Sequence, residues 1–235
     1  MQIDILDKGY IKLVETWGSD ERVIEAARMS TGKGFHGWGT PESPGDEKLL
    51  AYLYNNNHNT PFEMAGMVIE VRAPIFVFRE WHRHRTQSYN EASGRYIPLP
   101  NDNYMPHLDR ILTGANTATT NKQAQGVGNG VLSAEDAMSW QRDLDALYAQ
   151  AQQVYDRGLA LGVPKELARL PVPVSRYSSM RASCNLRNWL HFLTLRMDTA
   201  AQWEIREYAN AVGTLIAEQF PRTWELFEAK AASYK

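Results

Sequence analysis

One short stretch constrains the fold more than any other, because a strand pattern runs directly into a helix signal. Residues 66–73 alternate apolar side chains such as Met67 and Ile69 with polar ones, which is typical of a half-buried β-strand. Pro74 follows at once, and proline is favoured in the first turn of a helix. The sequence therefore predicts a strand and then a helix as far as residue 85. An arginine-rich segment begins at the end of that helix and is expected to continue as irregular chain.

The remaining segments place strands near the N-terminus and most of the helix in the C-terminal half. Residues 2–15 alternate in polarity and predict one or two strands. Helical periodicity and capping residues predict helices over residues 20–28, 47–54, 133–162, 186–197 and 201–230, the last broken at Pro221. Residues 171–183 are expected to be extended. This order predicts an α/β (α+β-like) fold, a mixed sheet with helices in one domain spanning residues 1–235.

One segment breaks the pattern of regular elements. Residues 113–132 carry four glycines and one charge and are low in complexity. We expect a flexible surface insert here. A lid over a functional site is the alternative.

Composition and charge exclude several classes of protein. The formal net charge is −2, so the chain lacks the excess positive charge with which a protein coats nucleic acid. Its one cysteine, Cys184, excludes an intramolecular disulfide and a zinc site built from cysteines. The N-terminal residues lack the pattern of a signal peptide, and no apolar run is long enough to span a bilayer. We therefore expect a cytoplasmic protein with no membrane partner.

The arginine-rich segment, residues 83–96, has the sequence RHRTQSYNEASGRY and almost no apolar side chain that could give it a core role. Planar guanidinium groups hold anions through several donors in fixed geometry. Two interpretations are open: a phosphate-binding site, or a solvated basic helix end that complements the helix dipole. The hydroxyl of Ser93 and the close backbone approach allowed by Gly94 favour the site. No Walker-type loop or GxGxxG pattern offers another phosphate cradle.

Other chemistry-bearing residues give weaker signals. His82 and His84 stand two apart, which points them to different sides of a helix, and no HExxH pattern accompanies them, so we expect no metal. No base is marked beside Cys184, which favours a buried structural thiol over a nucleophile. His58 alone is expected to fill a hydrogen-bonding role in a loop. Core or interface positions are expected for Trp81, Trp189 and Trp203.

Taken together, the motifs resemble those of the flavin-dependent thymidylate synthases. The segment 83–96 resembles the signature R-H-R-x-x-S followed by S-x-R-Y. Residues 58–63, HNTPFE, resemble the upstream H-x-T-P-F-E motif, and Arg169 stands where the family has a phosphate-binding arginine. Residues 185–187, 196–198 and 201–204 resemble the C-terminal block. The resemblance runs from about residue 50 to residue 220, apart from the insert.

The resemblance implies a reaction and its reactants. It implies the thymidylate synthase-complementing fold and reductive methylation of dUMP to dTMP, with methylenetetrahydrofolate as one-carbon donor and tetrahydrofolate as product. NADPH reduces bound FAD, and the reduced flavin supplies the hydride. No enzymic cysteine attacks the uracil in this family. The resemblance also implies a homotetramer whose active sites are shared between subunits.

The resemblance assigns roles residue by residue. Arg196 is the expected catalytic residue, because a cation facing the pyrimidine favours its ionised imide. The residues expected to hold dUMP are Glu80, Arg83, Glu91, Ala92, Ser93, Gly94, Arg95, Arg169 and Arg196. The residues expected to hold FAD are His58, Thr60, Glu63, Arg83, His84, Arg85, Thr86, Ser88, Glu91, Asn185, Arg187 and His191.

The chain departs from the family pattern at three positions. Glu80 stands where some members have glutamine, and a carboxylate beside an anionic ligand needs a donor partner such as Arg79 or Arg83. Met64 and Ala200 each replace a histidine of some members.

Two alternative functions stay open at this point. The first is a flavin- and folate-dependent enzyme that acts on another pyrimidine nucleotide. The second is a nucleic-acid-binding module that places Arg83, Arg85 and Arg95 on phosphates, for which binding would weaken steeply with salt.

Overall fold

The computed structural model describes residues 1–40, 42–116 and 132–232. In this part of the chain the strands are β1 (Gln2–Ile5), β2 (Gly9–Trp17), β3 (Gly66–Pro74), β4 (Ser88–Glu91) and β5 (Tyr177–Asn185). They form one sheet in the order β1-β2-β3-β5-β4. Every neighbouring pair in that order is antiparallel.

Helices follow the strands and dominate the C-terminal half. The α-helices of the described ranges are α1 (Asp20–Arg28), α2 (Glu47–Asn55), α3 (Ile75–Trp81), α4 (Leu108–Asn116), α5 (Ala134–Ala160), α6 (Lys165–Ala168), α7 (Leu186–Arg196), α8 (Trp203–Gln219) and α9 (Pro221–Ala232). Short 3-10 helices cover Met29–Thr31 and Thr60–Met64.

The core lies between the sheet and two of the long helices. Strands β3 and β5 place buried residues opposite one another, with Met67 facing Cys184 and Ile69 facing Ala182. Helix α7 packs on β3 and β5, and α8 packs on β1 and β2. Burial of this apolar face removes it from water and is the main force that fixes the helices on the sheet.

The two central strands also position the functional site, because each continues directly into a helix. Strand β3 ends at Pro74, the N-cap of α3, and β5 ends at Asn185, the N-cap of α7. The strands are antiparallel, so the two helices start from opposite ends of the sheet. They converge at their C-terminal ends, where Glu80 contacts Arg196.

Most of the expected elements are present. The α/β class is confirmed, and α1 begins and ends where the pattern predicts, with Ser19 accepting a hydrogen bond from the backbone N–H of Arg22. Ser133 caps α5 in the same way. The described strands are antiparallel, whereas a mixed sheet was expected. Residues 117–131 of the expected flexible insert lie outside the described residues.

Three local expectations need correction. Helix α3 ends at Trp81 instead of continuing to residue 85. The arginine-rich segment is not irregular throughout, since it contains β4. The extended segment expected over 171–183 becomes a strand only from Tyr177 onwards. Strand β4 is short and polar, so its backbone pairing with β5 defines it, and side-chain alternation does not.

Candidate active site

The site is organised around Arg196 in the last turn of α7. Its Nη1 donates to Oε2 of Glu80 at 2.9 Å, and its Nη2 donates to the backbone carbonyl of Glu80 at 2.8 Å. Its Nε donates to Nε2 of His84 at 2.8 Å. A guanidinium group held at three nitrogens by two residues keeps one orientation.

His84 is the second residue that holds the guanidinium of Arg196. The ring is 7% exposed and packs edge-on against Phe192 at 4.8 Å between centroids. Burial, and then the positive charge of Arg196 and the proximity of His191, lower the pKa of His84 to about 4. The ring is therefore neutral at physiological pH, and its acceptance at Nε2 requires the proton on Nδ1. The sequence predicts a flavin contact for His84, and the structure adds a hydrogen bond from Arg196.

A second group of expected site residues meets where the Thr60–Met64 helix approaches the start of α7. The guanidinium of Arg187 forms an ion pair with the carboxylate of Glu63. Asn185 uses its side-chain oxygen to accept from the backbone N–H of Asn188 at 3.0 Å, which caps α7. The cap fixes the direction in which α7 presents Arg187 and His191.

A cleft of about 900 Å³ opens beside this second group. Three expected flavin residues line it, namely Thr86, Arg187 and His191. Phe62, Leu190 and Phe227 are among the residues that supply its apolar wall, and Asn59 and Asn188 are among those that supply its amides. An apolar wall with a few convergent polar groups is the usual character of a cofactor site.

The turn after β4 forms a third group with α6. The backbone N–H of Arg95 donates to the hydroxyl oxygen of Ser93 at 3.3 Å, and Gly94 lies so close to Leu99 that a Cβ would meet it at 3.1 Å. Arg95 pairs at 3.7 Å with Glu166 of α6, the helix that is followed directly by Arg169. Two of the arginines expected to hold dUMP, Arg95 and Arg169, thus belong to neighbouring elements.

The other expected site residues are exposed. Within the described residues, the side chains of Arg83, Arg85 and Arg169 have no hydrogen-bond or ion-pair partner. His58 packs edge-on against the ring of Tyr52 at 5.4 Å. Thr60 lies in the Thr60–Met64 helix, Ser88 and Glu91 lie in β4, and Ala92 follows β4. All four residues are exposed.

Glu80 finds a different partner from the one expected. The sequence suggested Arg79 or Arg83 as its donor, but Arg196 fills that role. Glu80 and the two expected donors belong to the end of α3 and the loop after it, whereas Arg196 lies in the last turn of α7. Only the packing of α3 and α7 brings that donor to the carboxylate.

The other candidates behave as structural residues. Cys184 is 5% exposed and burial raises the pKa of its thiol to about 12, so a buried structural thiol is confirmed. Trp81 and Trp189 are fully buried core residues. In the described ranges no group of three or more His, Cys, Asp and Glu residues is arranged to hold a metal ion.

Sequence reasoning missed several residues of the cleft. Tyr54 and Asn57, at the end of α2 and just after it, and Lys230 of α9 line its far side. Lys230 lies over the ring of Tyr54 at 5.2 Å and donates to Asn57 at 3.3 Å. No local motif marks them, since α2 and α9 are far apart in sequence. An aromatic residue and an amide at a helix end were the available signal.

None of the helices in the described ranges is both long enough and apolar enough to cross a membrane.

Comparison with known sequences gives a consistent result. A family model described as thymidylate synthase complementing protein matches residues 12–222. A protein of Thermus thermophilus named flavin-dependent thymidylate synthase is 39% identical over 228 residues, which cover 97% of this chain and 78% of the relative. One of the same name from Thermosipho africanus is 38% identical over 230 residues, covering 97% and 94%.

Solved structures with the same architecture include a UMP/dUMP methylase, PolB, from Streptomyces cacaoi. In its complex with 5-Br dUMP it superposes with a TM-score of 0.82 at 34% identity, over 97% of each chain. In its complex with 5-Br UMP the TM-score is 0.81 at 32% identity, over 97% of this chain and 96% of the other.

Proposed function

Since the chain belongs to the thymidylate synthase complementing protein family, we propose that it is a flavin-dependent thymidylate synthase that converts dUMP to dTMP by reductive methylation. The observation that carries the proposal is the fixed guanidinium of Arg196, held by Glu80 and His84. A rigid cation beside unpaired arginines suits an anionic nucleotide whose ring has to be oriented.

The chain's own residues fit an FAD cofactor. The cleft of about 900 Å³ offers an apolar wall for flat rings and polar groups at Thr86, Arg187 and His191 for their edges. The remaining residues assigned to FAD are His58, Thr60, Glu63, Arg83, His84, Arg85, Ser88, Glu91 and Asn185. When bound, the flavin supplies the hydride that completes the methyl group. The protein binds and orients it, and His84 holds Arg196 by accepting from its Nε.

The nucleotide is assigned to the other side of the arginine-rich segment. Arg83, Arg95 and Arg169 hold its phosphate, because exposed guanidinium groups form short charge-assisted hydrogen bonds with phosphate oxygens. Glu91, Ala92, Ser93 and Gly94 line its sugar and phosphate. Arg196 and Glu80 face the pyrimidine. Cys184 takes no part, since its thiol is buried and its pKa is raised.

The co-substrates and the cell compartment follow from the same assignment. NADPH reduces the flavin, methylenetetrahydrofolate donates the one-carbon unit, and tetrahydrofolate leaves. A reducing cytoplasm suits a chain with one cysteine.

The assembly is proposed to be a homotetramer with active sites shared between subunits. Helix α5 supports this, because Trp140, Leu147, Val154 and Leu161 recur every seven residues from the helix to its C-cap, and each is 49–71% exposed. An exposed apolar stripe of this length is stabilised by packing on another copy. Sharing the sites also explains why Arg83, Arg85 and Arg169 have no partner in one chain's described residues.

A second candidate is methylation of the ribonucleotide UMP as well. The observation that favours it is the similarity to the Streptomyces cacaoi protein, which is named a UMP/dUMP methylase and was solved with both brominated nucleotides.

The test uses the purified flavoprotein with NADPH, methylenetetrahydrofolate and dUMP, and identifies the products by chromatography and mass. We expect dTMP and tetrahydrofolate. Parallel reactions with UMP and with dCMP measure nucleotide preference. Arg196→Ala should retain its flavin and lose methylation. Absence of dTMP from the wild-type reaction would refute the proposal, and a colourless protein with salt-sensitive binding to nucleic acid would favour the binding module.

A further inference from the structure

The loop of residues 92–102 leaves the sheet and returns to it, and it carries part of the proposed phosphate site. It starts where the backbone N–H of Ala92 donates to the carbonyl of Ser179 at 2.8 Å. It ends at a β-bridge between Asn103 and Arg176. Most of its side chains are exposed, so the loop has little apolar core of its own. Contacts with the rest of the chain must therefore fix its position.

Arg176, the residue before β5, holds the end of loop 92–102. Its side chain is fully buried, and its Nε donates to Oδ1 of Asn103 at 3.0 Å. Its Nη1 donates to the backbone carbonyl of Pro100 at 2.6 Å and to Oε1 of Gln152 in α5 at 2.9 Å. One side chain thus ties the loop both to the start of β5 and to α5.

Tyr155 of α5 holds the neighbouring residue of the loop. The tyrosine is buried, and its hydroxyl accepts from the backbone N–H of Leu99 at 3.1 Å. Leu99 in turn packs against the turn that carries Ser93 and Arg95, because a Cβ built on Gly94 would lie 3.1 Å from the Leu99 side chain. A displacement of Leu99 would therefore be felt at this turn.

The charge of Arg176 argues against a role in packing alone. Burial lowers its pKa, but a guanidinium group remains charged. The three oxygens that it meets are neutral amide and carbonyl oxygens, and no described residue accepts from its Nη2. Burying a charge without an ionic partner is costly, and an apolar side chain would fill this space without that cost. The contacts with the loop give the charge a purpose.

Resting on the proposed function, we propose that Arg176 is a positioning residue for the nucleotide phosphate. Together with Tyr155 it fixes the loop at Leu99, and Leu99 fixes the turn. The hydroxyl of Ser93 and the guanidinium of Arg95 are then held where phosphate oxygens meet them. Arg176 is fully buried and does not touch the nucleotide, so it acts on affinity only through the loop.

The test compares three variants of the flavin-loaded protein with the wild type. Arg176→Leu removes the donors, and Tyr155→Phe removes only the hydroxyl that accepts from Leu99. Tyr148→Phe is the matched control, because its hydroxyl donates to the carbonyl of Tyr104 at 3.1 Å, beyond the β-bridge that ends the loop. Calorimetry gives the dissociation constant of dUMP, and turnover at saturating dUMP gives kcat. Deoxyuridine, which lacks the phosphate, is measured as a competitor of dUMP.

Arg176→Leu should weaken dUMP binding about tenfold, which corresponds to the loss of one hydrogen bond to a charged group. Tyr155→Phe should weaken it about threefold, as for a neutral hydrogen bond. In both variants the flavin content, kcat at saturating dUMP and the inhibition constant of deoxyuridine should stay as in the wild type, because only the phosphate loses contacts. Tyr148→Phe should match the wild type in every measurement.

The outcomes separate this inference from the proposed function. Unchanged dUMP affinity in Arg176→Leu overturns the inference, and so does an equal loss of affinity for dUMP and deoxyuridine or a parallel loss of flavin, since these indicate a merely structural role. If Arg176→Leu does not fold, Tyr155→Phe decides: weaker dUMP binding than in Tyr148→Phe supports the inference, and equal binding overturns it. Failure of the wild-type flavoprotein to bind dUMP refutes the proposed function before any variant is compared.

Discussion

The arginines of the site differ in whether other residues of the same chain fix the position of their side chains. Arg196 is 16% exposed and fixed by three contacts before any ligand arrives. Arg83 and Arg169 are exposed, and their side chains have no partner in the described residues. We propose that the first kind of arginine orients a ligand and that the second kind contributes charge that a phosphate neutralises.

Arg169→Ala is expected to weaken dUMP binding by tenfold or more with flavin content unchanged, because a hydrogen bond to a charged group contributes about 1.5–3 kcal/mol. Calorimetry measures the nucleotide, and the visible spectrum measures the flavin. Arg157→Ala removes another exposed arginine, in the last turn of α5, and controls for bulk charge. An unchanged dissociation constant in Arg169→Ala would exclude the phosphate contact.

His84 should make stability depend on pH. Burial first lowers its pKa from 6.5 to about 4, so between these values the unfolded chain binds the proton and the folded chain does not. The contribution of His84 is complete above 6.5 and is lost as the pH falls towards about 4. The thermal midpoint should therefore decline over this window, which scanning calorimetry of the flavoprotein can follow.

His84→Gln should reduce that decline, since an amide oxygen can still accept from Nε of Arg196 and does not titrate. His107→Gln changes an exposed histidine and should leave the decline as in the wild type. Identical declines in His84→Gln and the wild type would assign the effect to other groups.

Among the elements, α9 depends on a contact with a distant part of the sequence. Its first residues are capped by Asp20 of α1, whose carboxylate accepts from the backbone N–H groups of Arg222 and Thr223 and from the Thr223 hydroxyl at 2.6 Å. Asp20 is 4% exposed. The carboxylate thus serves as the N-terminal cap that the local sequence of α9 does not provide.

Asp20→Ala should destabilise the protein by about 1–3 kcal/mol, because it leaves buried donors without an acceptor. Burial raises the pKa of Asp20, which shows that its charge is costly to bury and limits the loss. Thermal melts should fall by several degrees, at about 2–4 °C per kcal/mol for a chain of this size. Asp145→Ala, which removes an exposed carboxylate of α5 away from its apolar stripe, is the control. A melt like that of the wild type would show that α9 is held without this cap.

The elements also show how far sequence reasoning reaches. Helix α1 was predicted to the residue because its cap and periodicity are local. The end of α3 was not, because the Tyr89 hydroxyl lies within hydrogen-bond distance of the Trp81 and His84 carbonyls, so β4 fixes that end. Local motifs predict candidate site residues, but the hydrogen bond from Arg196 to Glu80 spans 116 positions and depends on packing.

At the scale of the whole molecule, α5 is the element that exposes a stripe of apolar side chains. Among the described residues, those buried on this helix within one chain are Ala137, Tyr148 and Tyr155. Leu147 and Val154 are 55% and 54% exposed. Two stripes on one helix, one buried in the chain and one exposed, are what a helix at a subunit interface requires.

Leu147→Glu is expected to disrupt the assembly, because it places a charge in the centre of the exposed stripe, where packing against another copy would desolvate it. Light scattering coupled to gel filtration should show smaller species than for the wild type, and methylation activity should fall with the mass, because the proposed tetramer shares its active sites between subunits. Gln153→Glu adds the same charge at an exposed polar position of α5 about 100° around the helix from the stripe, and it should leave mass and activity unchanged. A tetramer of full activity in Leu147→Glu would place the interface elsewhere and leave the stripe without a partner.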